Sequence, residues 1–475
     1  MTERGGELLL GAVIIAVMSL GLTLDLSVSE AGPPDSRAPA TTFSERAVYC
    51  PPAALKNGGS SELFWAGSGP AGIDVAVEPI HAEAQPLAPG QFARSAPRAG
   101  NPVEIVGYGG RVAAGAIQSV TQRVGGSGSD VKGRGAGNCA AAASDRWYFP
   151  AGAVSIDVDE RIIVANPFPD EAVVRIRLLT PAGEVSSAKL RDIPVPSGEV
   201  ARVVLNDSIT AQRVLSVMVD AQRGRVVAWK GLASKSEENP DAYQFTLGAP
   251  ASASTWYFPE GGITEDVSER ITVMNPTEEE ARVTISLQTA ENVVQARDLV
   301  DIAVAPLSSE NISIADALEG GRRELGGVSA FLQSTNGIEV VAERTVINAS
   351  RKLSGIATEV GVTAPATHWI VSPAALNPAS DVLVLMSPGG EDAVVRVSLL
   401  AEEGPASEPP ELQDLRVEGG LTLRLRITAF TQNQPRFLEV FSDEPIVVER
   451  VSMDGTRSDV GSVMGQPAAE AAASP

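Results

Sequence analysis

A four-residue aromatic tag returns in this chain at domain-sized intervals. Trp147-Tyr148-Phe149-Pro150 recurs as Trp256-Tyr257-Phe258-Pro259 and, more faintly, as Trp369-Ile370-Val371-Ser372-Pro373. The three Trp residues lie 109 and 113 positions apart (256 − 147 and 369 − 256). Aromatic residues make up only 4% of the chain, so such a return means a tandem array.

The repeat continues beyond the tag. Glu160, Glu269 and Asp381 follow each Trp by 12 or 13 residues, and Asn166-Pro167, Asn275-Pro276 and Ser387-Pro388 follow those acids by six. An alternating segment then carries Val174/Ile176/Leu178, Val283/Ile285/Leu287 or Val395/Val397/Leu399 on one face, with Arg, Thr or Ser on the other. Period-two alternation is the signature of a strand with one face on a core and one in water. Two further runs close each unit, Val214–Val219 with Val226–Lys230 in the first repeat. A middle pair at Lys189–Val195 and Glu199–Leu205 brings the count to about seven strands. Seven short strands in roughly 100 residues predict an all-β chain of tandem immunoglobulin-like β-sandwich domains. Propeller blades of about 40–50 residues are too short for this period.

Small-residue connectors at Ala140–Asp145, Ala249–Thr255 and Thr363–His368 set the boundaries: repeats at 146–252, 253–366 and 367–464. Residues 465–475, mostly Ala, Pro and Ser, read as a disordered tail. Each repeat carries a full inward-facing set, so the second is expected to fold alone. A divergent leader at 47–145, rich in Gly and Ala, has Tyr49-Cys50-Pro51 about where an earlier tag would fall. Its Cys50 and Cys139 are the only cysteines, and two cysteines bracketing one domain of an exported chain read as a disulfide.

Export is argued from the N-terminus. Leu8–Leu24 is uncharged and, at about 1.5 Å per residue, long enough for a slightly short transmembrane helix. Residues 1–28 are therefore expected to be a cytoplasmic stub and anchor, and 29–46 a Pro-rich linker. A cleaved signal ending near Ser29-Glu30-Ala31 is the alternative. The expected location is the cell membrane, single-pass, with the C-terminal domains outside. A net charge of −22 repels nucleic-acid phosphates, so no nucleic-acid partner is expected.

The Trp256–Gly261 motif, the downstream Asn275-Pro276 and the Cys50-Pro51/Cys139/Trp147 arrangement resemble an uncharacterised actinobacterial family. Its members are membrane-anchored extracellular proteins built on a domain of unknown function. The resemblance implies envelope localisation and supplies no activity.

Chemistry is sparse. His81 reads as a loop histidine, and His368 occupies a slot held by Arg146 and Thr255 in the other repeats. No nucleophile elbow, phosphate loop or zinc spacing occurs. The acids at Asp157–Glu160 and Glu265–Glu269 read as solvated loops, weighed against calcium binding. Trp147, Trp256 and Trp369 read as packing residues. Trp229, which replaces Glu343 and Glu449 beside Lys230, Arg344 and Arg450, reads as an exposed contact residue. No enzyme activity, cofactor or metal is expected. The expected function is a structural scaffold or protein-interaction module, with other envelope proteins or cell-wall glycan as partners. A glycan-binding, adhesin-like protein is the alternative, and a carboxylate hydrolase ranks last.

Overall fold

The inward set of each alternating segment is buried as its period requires: Val174, Ile176 and Leu178, like their counterparts in the other repeats, are at most 4% exposed. The computed structural model describes residues 45–468 apart from 53–58, 69–71, 98–99, 125–128, 236–240, 319–324, 350–353 and 456–458. The expected anchor and the proposed spacer up to Ser44 lie outside the described residues. Among the described residues, no helix is long and apolar enough to cross a membrane.

Each domain consists of two antiparallel sheets over one core. Counting strands within a domain, the sheets run 1–6–3–4 and 5–2–7–8 in the leader, the first repeat and the second repeat, where one short extra strand is left out of the count. The leader is thus a fourth copy in topology. In the third repeat, strands six and seven fuse into Leu438–Asp454, which pairs first with the Trp strand and then with the acid-bearing strand. An immunoglobulin sandwich puts its first two strands in one sheet. Here the first strand joins the sixth, and the second joins the seventh. Lys189–Val195, expected as one strand, is a short 3-10 turn followed by Ile193–Val195.

The eighth strand decides the architecture. Ser129–Asn138, Ala242–Leu247, Ser354–Val360 and Val460–Met464 pack each against the next, and the last packs against the first. The four domains therefore close into a ring within one compact unit, Glu45–Pro475. Glycine makes the closest approach possible. A Cβ at Gly133 would lie 2.6 Å from Tyr243 Cβ, and one at Gly135 would lie 2.7 Å from the Phe245 nitrogen. Gly133, Gly135 and Gly137, part of the Gly-rich composition that hides the leader's strands, make this contact. Gln244, Thr358 and Ser462 meet on the axis, where the remaining space fits no more than about one water.

The ring revises two expectations. The second repeat's core cluster also contains Tyr148, Leu179 and Met218 of the first repeat and Met464 of the third, so its core is shared. Part of the expected tail is ordered: Gln466 and Pro467 pair with the Trp strand, and Gln466 Nε2 donates to Ala114 O at 3.0 Å. Residues 469–475 lie outside the described residues.

Cys50 and Cys139 are joined in a disulfide across 89 positions, tying the leader's first strand to the end of its axial strand. Constraining a loop of that length should contribute about 4–5 kcal/mol in the chain-entropy picture. Urea denaturation of a Cys50→Ser/Cys139→Ser variant is expected to show a loss of that size. An unchanged midpoint would mean that the leader is held by packing alone.

Candidate functional site

Four strand positions, aligned by their pairing to the axial strands, carry the chemistry of the ring. Gly115, Trp229, Glu343 and Glu449 pair with Asn138, Leu247, Val360 and Met464 respectively. The following residue is Ala116, Lys230, Arg344 or Arg450. These strands are buried on both faces, so consecutive residues point into different interfaces. Glu343, Glu449 and all three cations are 0% exposed, which corrects the expectation of an outward-facing row.

The charges pair across domains. Lys230 Nζ of the first repeat lies 2.5 Å from Glu343 Oε1 of the second, whose other oxygen accepts the Ala151 amide at 2.7 Å. Arg344 of the second repeat holds Glu449 of the third in a two-pronged contact, Nη1 to Oε2 at 2.9 Å, and the Glu260 amide donates to Glu449 at 2.9 Å. Burial works against the Arg344 charge, but Glu449, with Glu269 and Glu260 behind it, offsets burial and raises the guanidinium pKa. The third repeat has no acid ahead of it, because the leader presents Gly115. Arg450 turns back to its own Asp381 at 2.6 and 2.8 Å.

Trp229 belongs to the same scheme. Its neighbour across the junction is the leader, which presents Ala116 rather than a cation. An indole stands where an acid would lack a partner. Trp229 is 0% exposed, clusters with Val120, Val124 and Val131 of the leader, and donates from Nε1 to Asn138 O at 3.4 Å. It is therefore a junction residue and no free contact surface. Asn138 also closes the seam to the third repeat. Its Nδ2 donates to Met464 O at 2.8 Å, and its Oδ1 accepts from Ser372 Oγ at 3.1 Å. Arg134–Asp454 at 2.7 Å and the Phe92 amide to Ala401 O at 3.0 Å complete that seam.

The expected acidic loops divide. Glu265 and Asp266 are exposed and Asp157 is half-buried, but Glu160 and Glu269 are fully buried beside the junction ion pairs. One oxygen of each accepts a backbone amide, from Ala153 at 2.8 Å and from Gly262 at 3.1 Å. The other oxygen meets no donor. Burial pushes both carboxyls up to about 8, against the opposing pull of Lys230 and Arg344. Each carboxylate lies against a glycine five residues after the Trp, Gly152 or Gly261, where a Cβ would collide with it. The third repeat has Ala374 at this place and the shorter Asp381 as its acid, a matched exchange of volumes. Among the described residues, no group of three or more candidate ligands could hold a metal ion.

The remaining sequence landmarks are structural. Trp147, Trp256 and Trp369 are buried, and each indole donates to the carbonyl opening strand seven, Val226, Val340 or Ile446. Tyr148, Phe149 and Phe258 are buried beside them, whereas Tyr257 is half-exposed and stacks on Phe331 at 4.8 Å. The prolines of the tag are buried too, and the Pro150 carbonyl accepts from Ser216 Oγ at 2.5 Å. Pro167 and Pro276 end their strands, and the Asn before each is fully buried. Asn166 accepts from the Phe168 amide at 3.0 Å and donates to Asp170 O and Val195 O. Asn275 repeats this with Thr277, Glu279 and Val304. His368 stacks on Phe441 at 4.0 Å and meets Glu439 at 2.9 Å, while His81 opens a strand, His81–Leu87. One repeated feature escaped the sequence reading. Asp192, Asp301 and Asp414 all take positive φ after a Leu-x step, at the same 109- and 113-residue spacing as the Trp tag. Asp tolerates this region better than most residues.

Two substitutions test the junction chemistry. Lys230→Met strands Glu343 and should cost about 3–5 kcal/mol, and the added Glu343→Gln should recover most of it. Trp229→Glu should destabilise by at least about 3 kcal/mol, because it buries a charge opposite Ala116. Urea unfolding midpoints measure both. Additive costs for the first pair, or a neutral Trp229→Glu, would contradict the buried geometry.

A search of curated proteins finds no match. Among solved structures, a crystal structure of Thermotoga maritima 1070 is 19% identical over 24% of this chain and 95% of that one, with a TM-score of 0.20. A Streptomyces avermitilis alpha-L-rhamnosidase complexed with L-rhamnose is 10% identical over 87% of this chain and 55% of that one, with a TM-score of 0.11. Neither score supports an argument about fold or activity. The model of a family of unknown function, DUF5719, matches residues 93–239 and 247–474. The chain belongs to that family.

Proposed function

We propose that this protein is a non-enzymatic scaffold of the cell envelope, a rigid ring that presents its outer faces and loops to partner proteins. The observation that carries this reading is where the buried charges go. Lys230, Glu343, Arg344 and Glu449 face each other across junctions, so they serve cohesion between domains rather than a cleft. The repeat unit is a variant of the immunoglobulin-like sandwich with its first and seventh strands exchanged between sheets. The anchor at Leu8–Leu24, the Pro-rich spacer and the outward topology complete the proposal, with the Cys50–Cys139 disulfide as their support from the folded part. The actinobacterial envelope setting implied by the repeat motifs belongs to the same reading.

A second reading has one specific support. Tyr257 and Phe331 stack at 4.8 Å on a half-exposed face of the second repeat, an aromatic surface of the kind that sugars cover. The two readings separate in one experiment. Purified residues 45–475 are incubated with isolated cell wall and, separately, with detergent-solubilised envelope. The scaffold reading predicts retention of specific envelope proteins and no wall binding. Wall binding that Tyr257→Ala abolishes would replace it with the glycan reading, and hydrolysis of wall material would overturn both.

A further inference from the structure

The junctions on either side of the second repeat bury carboxyl oxygens that no donor answers, whereas Asp454 and Asp459, the buried acids of the leader–third-repeat seam, are both held by Arg134. Between the first and second repeats, Glu160 and Glu343 face Lys230, and Asp159 adds a further negative charge near Glu160. Gln122 of the leader and Arg161 hold Asp159, at 2.6 and 2.7 Å, leaving Glu160 and Glu343 to share one cation. Between the second and third repeats, Glu269, Glu449, Glu260 and Glu359 face Arg344 and Arg424. Arg424 is taken by Glu260, and among the described residues Glu359 accepts only the Met464 amide, at 3.2 Å. In the third repeat, by contrast, Asp381 is matched by Arg450 and by Ser452 at 2.8 Å. The leader presents Gly115 and Ala116.

We propose that these two junctions are an alkali-sensitive latch: loss of the protons on Glu160 and Glu269 loosens the second repeat from both neighbours while the leader's seams stay shut. This goes beyond the scaffold reading and does not depend on it. The geometry sets the direction. Glu160 Oε1 and Glu269 Oε1 meet no donor, so each pocket is built for a neutral carboxyl. Ionisation sends the proton to solvent and leaves a second negative charge beside Glu343 or Glu449. Among the described residues, Lys230 or Arg344 is the cation that acts on each carboxyl, and the low local dielectric magnifies the repulsion. The unfolded chain releases these protons near the ordinary 4.5, the folded chain only near 8. Stability therefore falls as pH rises through that window, and the full cost is carried above it.

Hydrogen exchange on residues 45–475 at pH 6 and pH 9, corrected for intrinsic rates, tests the latch. The amides of Ala151, Ala153, Glu260 and Gly262 should lose about a hundredfold protection, because over about two pH units of that interval the shut junction holds a proton that the opened one has released. Those of Phe92, Arg134 and Ala401 at the leader–third-repeat seam should change little. Glu160→Gln and Glu269→Gln, made singly, should each keep protection at pH 9 at their own junction only. Equal loss at every junction, no loss at all, or single variants that open at pH 9 as the parent does would overturn the proposal. A variant already unprotected at pH 6 would overturn it as well, since Gln stands in for the protonated acid.

Discussion

A charge buried in one repeat and answered from the next is the constraint on which the rest depends. Removing a carboxylate and an ammonium from water costs several kcal/mol per ion, and the cost is recovered only with close, well-bonded partners. Lys230 and Glu343 satisfy that condition together, as do Arg344 and Glu449, and neither pair exists inside one repeat. Backbone amides and carbonyls just after the Trp tag complete the shell, which explains why the tag and the charges recur together. The apolar cores already run from one domain into the next, and the buried ions add a second dependence of each repeat on its neighbour.

The leader shows the same rule by departing from it. It has the strand order of the other domains but carries Ser61, Gly115 and Ala116 where they carry an acid, an acid or indole, and a cation. Both neighbours are adjusted. The first repeat offers Trp229 instead of an acid, and the third turns Arg450 onto Asp381. The axial glycines Gly133 and Gly135 then let the leader's backbone lie directly on Tyr243 and Phe245. Toward the third repeat the seam is closed by Arg134–Asp454 and the Asn138 side chain, at positions other than the repeated charge sites.

The parts of this fold visible in the sequence are those set by local periodicity. The alternating segments, the Asn-Pro turns, the Trp packing and the cysteine staple follow from residues near one another or from a count of two thiols. The ring is set by contacts between residues about 110 positions apart and, at the closing seam, by pairs such as Asn138–Met464, 326 positions apart, and no periodicity reports those. A signal was nonetheless present. Val340-Val341-Ala342-Glu343-Arg344 and Ile446-Val447-Val448-Glu449-Arg450 place two adjacent opposite charges at the end of an apolar run. On a strand with one wet face, at most one of them would point to water. Charge in both of two successive positions after such a run marks a strand buried on both sides. Trp229 misleads for the same reason. Compared with Glu343 and Glu449 it looks like an aromatic on a polar face, although all three are buried. The eighth strands escaped because glycine and small residues fill them wherever two backbones meet on the axis.

Small-angle scattering on residues 45–475 tests the closed ring most directly. A single compact body of this length should give a radius of gyration of about 22–25 Å. Four domains strung in line, each about 13 Å in radius, would give about 40 Å. A value near the first agrees with axial strands packed around one axis, and a value near the second would contradict the ring and every junction that depends on it.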